Sequence, residues 1–387
     1  MQVTICGQGS QLKSYIYKAK TINNYDCFHM RSIYHAILEQ IRSGSKLVVA
    51  TVVNTAGSTP QKPGSSALFG EQGLLAGTIG GGMLEGEVQH IAESVMISGI
   101  SDHFYFNLDA EPGDQAPICG GEAGVLVDAD PSAHLASLEE MELSLSRRAE
   151  GFLLTVVSQK HDQGRTIRRY WINSARTEDL PGGMDPAFKE VVLAHLKQAV
   201  RYGFTEIDLL DIPGHQVKMA FLEHIKPLPQ LLIAGGGHIG KALAHLGSLL
   251  EFEVSVVDDR PEFASWENIP DADHLVVNEI GEALHELKPG ADTFIVIVTR
   301  GHTHDGEVLR ACIGLDAAFI GMIGSTNKVG IMKKQFLDEG WATPEQWSAI
   351  HAPIGLPIGS KTVQEIAISI AAQLVEVRNR KKETHGE

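Results

Sequence analysis

The stretch from Leu231 to Arg260, LLIAGGGHIGKALAHLGSLLEFEVSVVDDR, constrains the fold of this 387-residue chain more than any other. Leu231 to Ala234 is a short apolar run, the pattern of a strand buried on both faces. Gly235, Gly237 and Gly240 follow as G-x-G-x-x-G, with His238 between the last two. A helix is expected from about Ile239, with Leu243, Leu246 and Leu250 on one face, and a second strand over Val254 to Val257. Asp258 ends that strand, 258 − 235 = 23 residues past the first glycine, against the roughly 20 of a dinucleotide-binding fold. Such glycines permit a tight turn and let the backbone approach a pyrophosphate, while helix N–H groups face the anion. Gly235, Gly237, His238 and Gly240 are therefore candidate cofactor-binding residues. Asp258, or Asp259 beside it, would accept from ribose hydroxyls. Arg260 is the residue type that meets a 2′-phosphate, so both NAD and NADP stay open.

A second glycine signal lies in the first half. Asn54 to Gly64 (NTAGSTPQKPG) is a long loop whose only cation is Lys62, and GTIGGG at Gly77 to Gly82 opens a helix over Met83 to Ser98. A glycine run at a helix start suits an anion. Ser58, Lys62, Gly80, Gly81 and Gly82 thus read as a pocket for a phosphate-bearing ligand, with tight helix-on-sheet packing as the alternative. Glu85 in the first turn would compete with an anion there.

Around these blocks the expected elements alternate. Ile33, Ile37 and Ile41 predict a helix from Met30 to Gly44. Strands are expected over Lys46–Val53, Ser66–Phe69, Leu74–Ala76, Phe104–Leu108, Gly124–Val127, Phe152–Ser158, Arg168–Ile172, Ile207–Asp211 and Phe221–Ile225. Helices are expected over Leu135–Leu145 and Pro186–Tyr202, and KPLPQ at 226–230 marks a domain boundary. Beyond Arg260, strands are expected at Asp273–Val277, Thr293–Thr299 and Ala318–Ile323. RGHTHD follows the second of these, with a helix from Gly306, which puts His302, His304 and Asp305 at a strand's carboxyl end, where open α/β sheets bind ligands. The spacing does not make a metallohydrolase cluster, so ligand contact is expected of His302 and no metal site is expected. Gly324 and Ser325 start a loop before a helix carrying Lys328. Thr362 and Glu365 form a capping box for a last helix buried through Ile366, Ile370 and Leu374, and the basic end Arg378 to Lys382 reads as solvated.

The fold class expected is α/β. Residues 1–29 are an irregular extension, 30–226 an α+β domain with a mixed sheet, 231–380 a Rossmann-like doubly wound parallel-sheet domain, and 381–387 a tail. Net charge is −16, from 32 basic and 48 acidic residues, which argues against nucleic acid and anionic membrane surfaces as partners. There is no apolar run approaching 18 residues and no signal-peptide pattern. Cys6, Cys27, Cys119 and Cys312 fit neither a zinc knuckle nor a disulfide framework, so a reduced, cytoplasmic protein is expected. Cys312 sits in an apolar helix and reads as core. Cys119, followed by Gly120 and Gly121, is either an exposed functional thiol or a small buried residue.

Taken together, GSTPQKPGSSALF, GTIGGGMLEGEV and ICGGEAGVLV in the first half, with LLIAGGGHIGKALA, VVDDRPEF, VTRGHTHD, FIGMIGSTNK and IHAPIGLPIGSKTVQEIAISI in the second, resemble the signature blocks of the xanthine dehydrogenase accessory protein family, XdhC/CoxI. The resemblance runs from Met30 to about Val377, which makes Met30 an alternative start. It implies a factor that binds the molybdenum cofactor (molybdopterin), protects it during sulfuration by a cysteine desulfurase, and passes it to a molybdenum hydroxylase client. It also implies more a cofactor-binding chaperone than a turnover enzyme, and a homodimer enclosing the cofactor is expected. Cys119 matches the family's Cys-Gly-Gly and becomes the candidate catalytic thiol. Gly80 to Gly82, Ser58 and Lys62 match the first-domain motif, and Gly324 and Ser325 the second. Many relatives have cysteine where this chain has Met83, which leaves a two-thiolate site without its second thiol. The competing function on the same Rossmann layer is an NAD(P)-dependent oxidoreductase with His302 or His304 as proton donor, and a third is nucleotide or pyrophosphate processing.

Overall fold

A computed structural model describes residues 15–17, 32–108, 121–159, 164–177, 180, 184–207 and 217–383. The chain divides into two compact units, Met30–Pro227 and Leu228–Glu387, the latter joined by a short strand, β1 (Tyr15–Tyr17).

The first unit runs α1 (Ser32–Arg42), β2 (Val48–Gly57), β3 (Ser66–Gly70), β4 (Gly73–Gly77), α2 (Gly82–Ser98), β5 (Asp102–Asn107), β6 (Gly121–Asp128), α3 (Leu135–Ser146), β7 (Gly151–Gln159), β8 (Arg165–Asn173), α4 (Pro186–Tyr202), β9 (Phe204–Glu206) and β10 (Val217–Ile225). Helix α4 shows why these boundaries fall where they do. The Asp185 carboxylate accepts from the N–H groups of Ala187 and Phe188, Pro186 supplies the first turn, and Gly203 ends the helix at φ +78°.

Where a mixed sheet is expected from sequence, this unit holds two antiparallel ones, ordered β4-β3-β2-β6-β5 and β8-β7-β10-β9. Short turns such as Glu71-Gln72 between β3 and β4 reverse the chain, and a reversal makes neighbours antiparallel. The sheets pack face to face through Val53, Leu126, Val157, Ile167, Met219 and Phe221. Helix α2 covers the outer face of the first through Leu84, Val88, Ala92 and Val95. Helix α4 covers the second through Phe188, Val192, Leu196 and Ala199.

Charged groups are buried with the apolar ones. Asp128 pairs with Arg169 and lies 3.5 Å from His134 Nε2, and Tyr34 donates to Glu223 at 2.7 Å. Two expectations shift. β2 continues to Gly57 because Asn54–Gly57 pairs with Gly121–Gly124 beyond a register shift. The strand expected over Ile207–Asp211 is instead β9, ending at Glu206, and residues 208–211 lie outside the described residues.

The second unit runs β11 (Gln230–Ala234), α5 (His238–Leu249), β12 (Glu253–Asp258), β13 (His274–Val277), α6 (Ile280–Leu287), β14 (Thr293–Ile297), α7 (His302–Cys312), β15 (Phe319–Met322), α8 (Thr326–Asp338), α9 (Pro344–Ser348) and α10 (Val363–Glu383). Its sheet is ordered β1-β13-β12-β11-β14-β15, parallel from β13 to β15. That is the doubly wound 3-2-1-4-5 order, and the sequence expectation of a Rossmann layer holds. Helices α6, α7 and α8 cover one face, where Cys312 is fully buried; α5 and α10 cover the other. The chain order reverses between β11 and β14, the switch point where such sheets bind ligands.

Three local expectations are corrected. Tyr15–Tyr17 adds an antiparallel edge strand to β13, inside the segment expected to be irregular. Helix α7 begins at His302 rather than Gly306, because Asp305 accepts the N–H and hydroxyl of Thr299 (3.1 and 2.6 Å) and ties the entering loop to its first turn. Arg378 is partly buried rather than solvated: it donates to the Leu250 carbonyl at 2.7 Å and stands 4.8 Å over the Phe252 ring. The Thr362–Glu365 capping box is present. Among the described residues no helix is long and apolar enough to cross a membrane.

Candidate functional site

At the carboxyl end of β11 the chain turns through Gly235, at φ +115°. A methyl group on Gly235 would stand 2.5 Å from the Val298 carbonyl oxygen, and one on Gly240 only 1.9 Å from the Gly235 carbonyl oxygen. Strand and helix therefore meet backbone to backbone, which only glycine allows. At Gly237 the space is open, and His238 beside it is exposed, so the accessible start of α5 lies there.

Asp258 ends β12 with 3% exposure. Its carboxylate accepts from Gly236 N–H at 2.9 Å, Arg260 N–H at 3.0 Å, Arg260 Nε at 2.9 Å and Arg260 Nη2 at 3.0 Å. Four donors match the roughly four lone-pair positions of a carboxylate. Burial opposes the charge, but the Arg260 guanidinium and the two backbone N–H groups outweigh it and hold the carboxyl below its usual range. Arg260 in turn lies 3.6 Å from the centre of the Phe263 ring. Asp259 is different: its side chain is 46% exposed and meets Arg300 Nη2 at 2.9 Å.

Two cavities open at this end of the sheet. The smaller, about 130 Å³, lies between Gly235, Asp258, Asp259, Glu279, Arg300 and Glu307. The larger, about 360 Å³, is lined by Thr299, Arg300, Gly301, Gly324, Ser325 and Lys328. They share Thr299 and Arg300, in the turn that Asp305 fixes. Ser325 caps α8 by accepting from Lys328 N–H.

In the first unit, the 58–65 loop and the glycine turn of α2 touch: a methyl on Gly80 would come within 2.6 Å of Pro60 Cγ. Gly57 pairs with Gly121, where a methyl would meet the Ser58 carbonyl oxygen at 2.7 Å. Glu85 accepts from the Thr78 hydroxyl at 2.8 Å and from Ile79 N–H at 3.4 Å, so it already occupies donors that an anion would use. Gly81 and Gly82 remain open. Ser58 and Lys62 are exposed.

Comparison with known proteins bears on both units. Residues 231–374 match the family model described as the XdhC Rossmann domain, and residues 40–106 match that of the XdhC and CoxI family. The chain belongs to the XdhC/CoxI family. A Bacillus subtilis (strain 168) protein, named as a probable xanthine dehydrogenase subunit, is 24% identical over 90% of this chain and 98% of its own length. A molybdenum cofactor insertion chaperone, PaoD of Escherichia coli (strain K12), is 21% identical over 91% of this chain and 90% of its own. YqeB of the same organism is 35% identical over 152 residues, and the match spans only 28% of that protein. A crystal structure from Bacillus halodurans, described as a xanthine dehydrogenase, superposes with a TM-score of 0.70 at 22% identity, covering 90% of this chain and 96% of that one; it shares the fold.

Within this XdhC/CoxI fold, six of the C-terminal candidates, Gly235, Asp258, Asp259, Arg260, Gly324 and Ser325, line one of the two neighbouring cavities, whereas Gly237, His238 and Gly240 line neither. The His302 side chain and all of Cys119 lie outside the described residues. Arg300 and Thr299, which both cavities share, are absent from the sequence-based candidates; their place just before the RGHTHD histidines was the available signal. Among the described residues, no group of three or more His, Cys, Asp or Glu is placed to hold a metal ion. Asp258→Asn is expected to destabilise the second unit by about 1–3 kcal/mol by loosening the Gly236 and Arg260 bonds. The loss should be full at neutral pH and shrink as pH falls through the depressed Asp258 value, where the native carboxylate is protonated too. Urea titrations at pH 7 and at a series of pH values below 4 check both parts.

Proposed function

We propose that this protein is a maturation factor for a molybdenum hydroxylase of the xanthine dehydrogenase type. It binds the molybdenum cofactor, supports its sulfuration by a cysteine desulfurase, and hands it to the apo-enzyme. The observation that carries the reading is the alignment, over nine-tenths of both chains, with a relative named as a molybdenum cofactor insertion chaperone, inside a family shared by both units. The second unit's cleft supports it chemically. The cofactor is a pterin with a dithiolene and a phosphate. Arg300 and Lys328 beside the start of α8 suit the phosphate, and the carboxylates of the smaller cavity suit N–H donors of a pterin edge.

Purification from molybdate-fed cells tests the reading. Molybdenum and a pterin should co-purify in comparable amounts; protein that carries neither overturns it. Cys119→Ala should lower retained molybdenum and leave the thermal transition in place. A transition that collapses with the cofactor content would make the thiol a packing residue instead.

A further inference from the structure

The two cavities differ in charge. Around the smaller, Asp258 is matched by Arg260 and Asp259 by Arg300, and Glu307 lies 3.4 Å from His304, which leaves Glu279 without a basic neighbour among the described lining residues and the cavity acidic. Around the larger, Arg300 and Lys328 face one acid, Asp305, whose carboxylate is turned into its bonds with Thr299. A ligand spanning both would place hydroxyl or amino donors in the first and an anion in the second.

The acid expected to read a ribose, Asp258, has no acceptor position left: four internal donors fill it. Arg260 is partly committed: its Nε and Nη2 bond Asp258 and its face covers Phe263, which turns that edge of the guanidinium away from a ligand. Asp259 keeps acceptor capacity, with Arg300 on one oxygen and Arg260 no closer than 3.8 Å to the other.

We infer that the two cavities form one bipartite site for a ligand of the nucleoside diphosphate class with an unmodified ribose, in which Asp259 takes the sugar hydroxyls and Arg300 with Lys328 takes the phosphates. Asp259 sets specificity, and Asp258 is a positioning residue that fixes Arg260 and the glycine turn. A 2′-phosphate would enter among Glu279, Glu307 and Asp259 and be repelled. The inference rests on a phosphorylated ligand in this cleft, and not on molybdenum or a pterin.

Calorimetric titration of the full chain with ADP-ribose, 2′-phospho-ADP-ribose and inorganic pyrophosphate tests it. ADP-ribose should bind, and its 2′-phosphorylated form should bind at least about tenfold more weakly. Asp259→Asn should weaken ADP-ribose about tenfold, the loss of a charged acceptor, and should not weaken pyrophosphate, because it only releases Arg300 from its ion pair. Lys328→Ala should weaken both about tenfold. Retained pyrophosphate binding, with an unchanged far-UV circular dichroism spectrum, shows that the Asp259 variant is folded. Equal affinity for the two ADP-riboses, an Asp259→Asn protein that binds like the parent, or no ADP-ribose binding at all overturns the assignment. A pterin-loaded protein that ignores ADP-ribose would keep the maturation role and remove this site; the opposite result would do the reverse.

Discussion

Arg169→Met is expected to destabilise the first unit by about 3–5 kcal/mol, the penalty for leaving a buried charge without its partner. The charge is Asp128, 2% exposed, on the end of β6 and facing the second sheet. Burial opposes its ionisation, but Arg169 and then His134 outweigh this and keep its carboxyl below the usual range. Methionine fills much of the arginine's volume, so the effect isolates charge from packing. The double variant Arg169→Met with Asp128→Asn should recover most of the loss, because an amide is far less costly to bury than an unpaired carboxylate. Urea unfolding followed by far-UV circular dichroism measures both. A loss under about 1 kcal/mol for the single variant, the scale of an exposed ion pair, would show that water reaches Asp128.

The second large effect is a pH dependence centred on Glu223. This carboxyl is 6% exposed and accepts from Tyr34 at 2.7 Å. Burial pushes it from an ordinary 4.5 to about 7, although the Tyr34 hydroxyl and the Arg169 charge pull the other way. Because the folded value lies above the unfolded one, its contribution is complete below about pH 4.5 and is lost as pH rises through about 7. The loss amounts to about 3 kcal/mol, from 1.36 kcal/mol per pH unit. Glu223→Gln keeps an oxygen for Tyr34 and removes the titration. The stability difference between variant and parent should therefore grow in the variant's favour from pH 5 to pH 8. Parallel curves across that range would place the Glu223 carboxyl in contact with solvent.

Both effects arise from groups that sequence does not single out, and the reason is physical. Asp128 and Arg169 lie 41 residues apart, Tyr34 and Glu223 189 apart, and only tertiary packing, of β6 against β8 and of α1 against β10, joins them. The second unit was legible because its signals are local: an apolar run, three glycines, a leucine face and a terminal acid fall within thirty residues, and each element follows the one before it. Gly240, expected from sequence among the cofactor-binding glycines, is buried and packs under the Gly235 carbonyl. The role of Asp258 could not be read from sequence. Its saturation depends on Arg260 folding back onto it and on Gly236 offering its N–H, and neither leaves a mark in residue type. The same holds for β2, whose last residues look like loop yet pair with Gly121–Gly124 across a gap of more than sixty residues. The histidine cluster misled by a single turn of helix, because the Asp305 side chain starts α7 earlier than the apolar periodicity does.

Helix α10 has a consequence for how the protein is made. Ile370, Ala371 and Leu374 are buried against Leu243, Ala244, Phe252, Phe294 and Phe319, and Arg378 reaches back 128 residues to the Leu250 carbonyl. During vectorial synthesis, the first unit is entirely outside the ribosome while α10 is still in the exit tunnel, so it can finish folding on the nascent chain. The Rossmann sheet cannot. One of its faces is covered by α5 alone until α10 has cleared the tunnel, and only from that moment can the sheet bury that side completely.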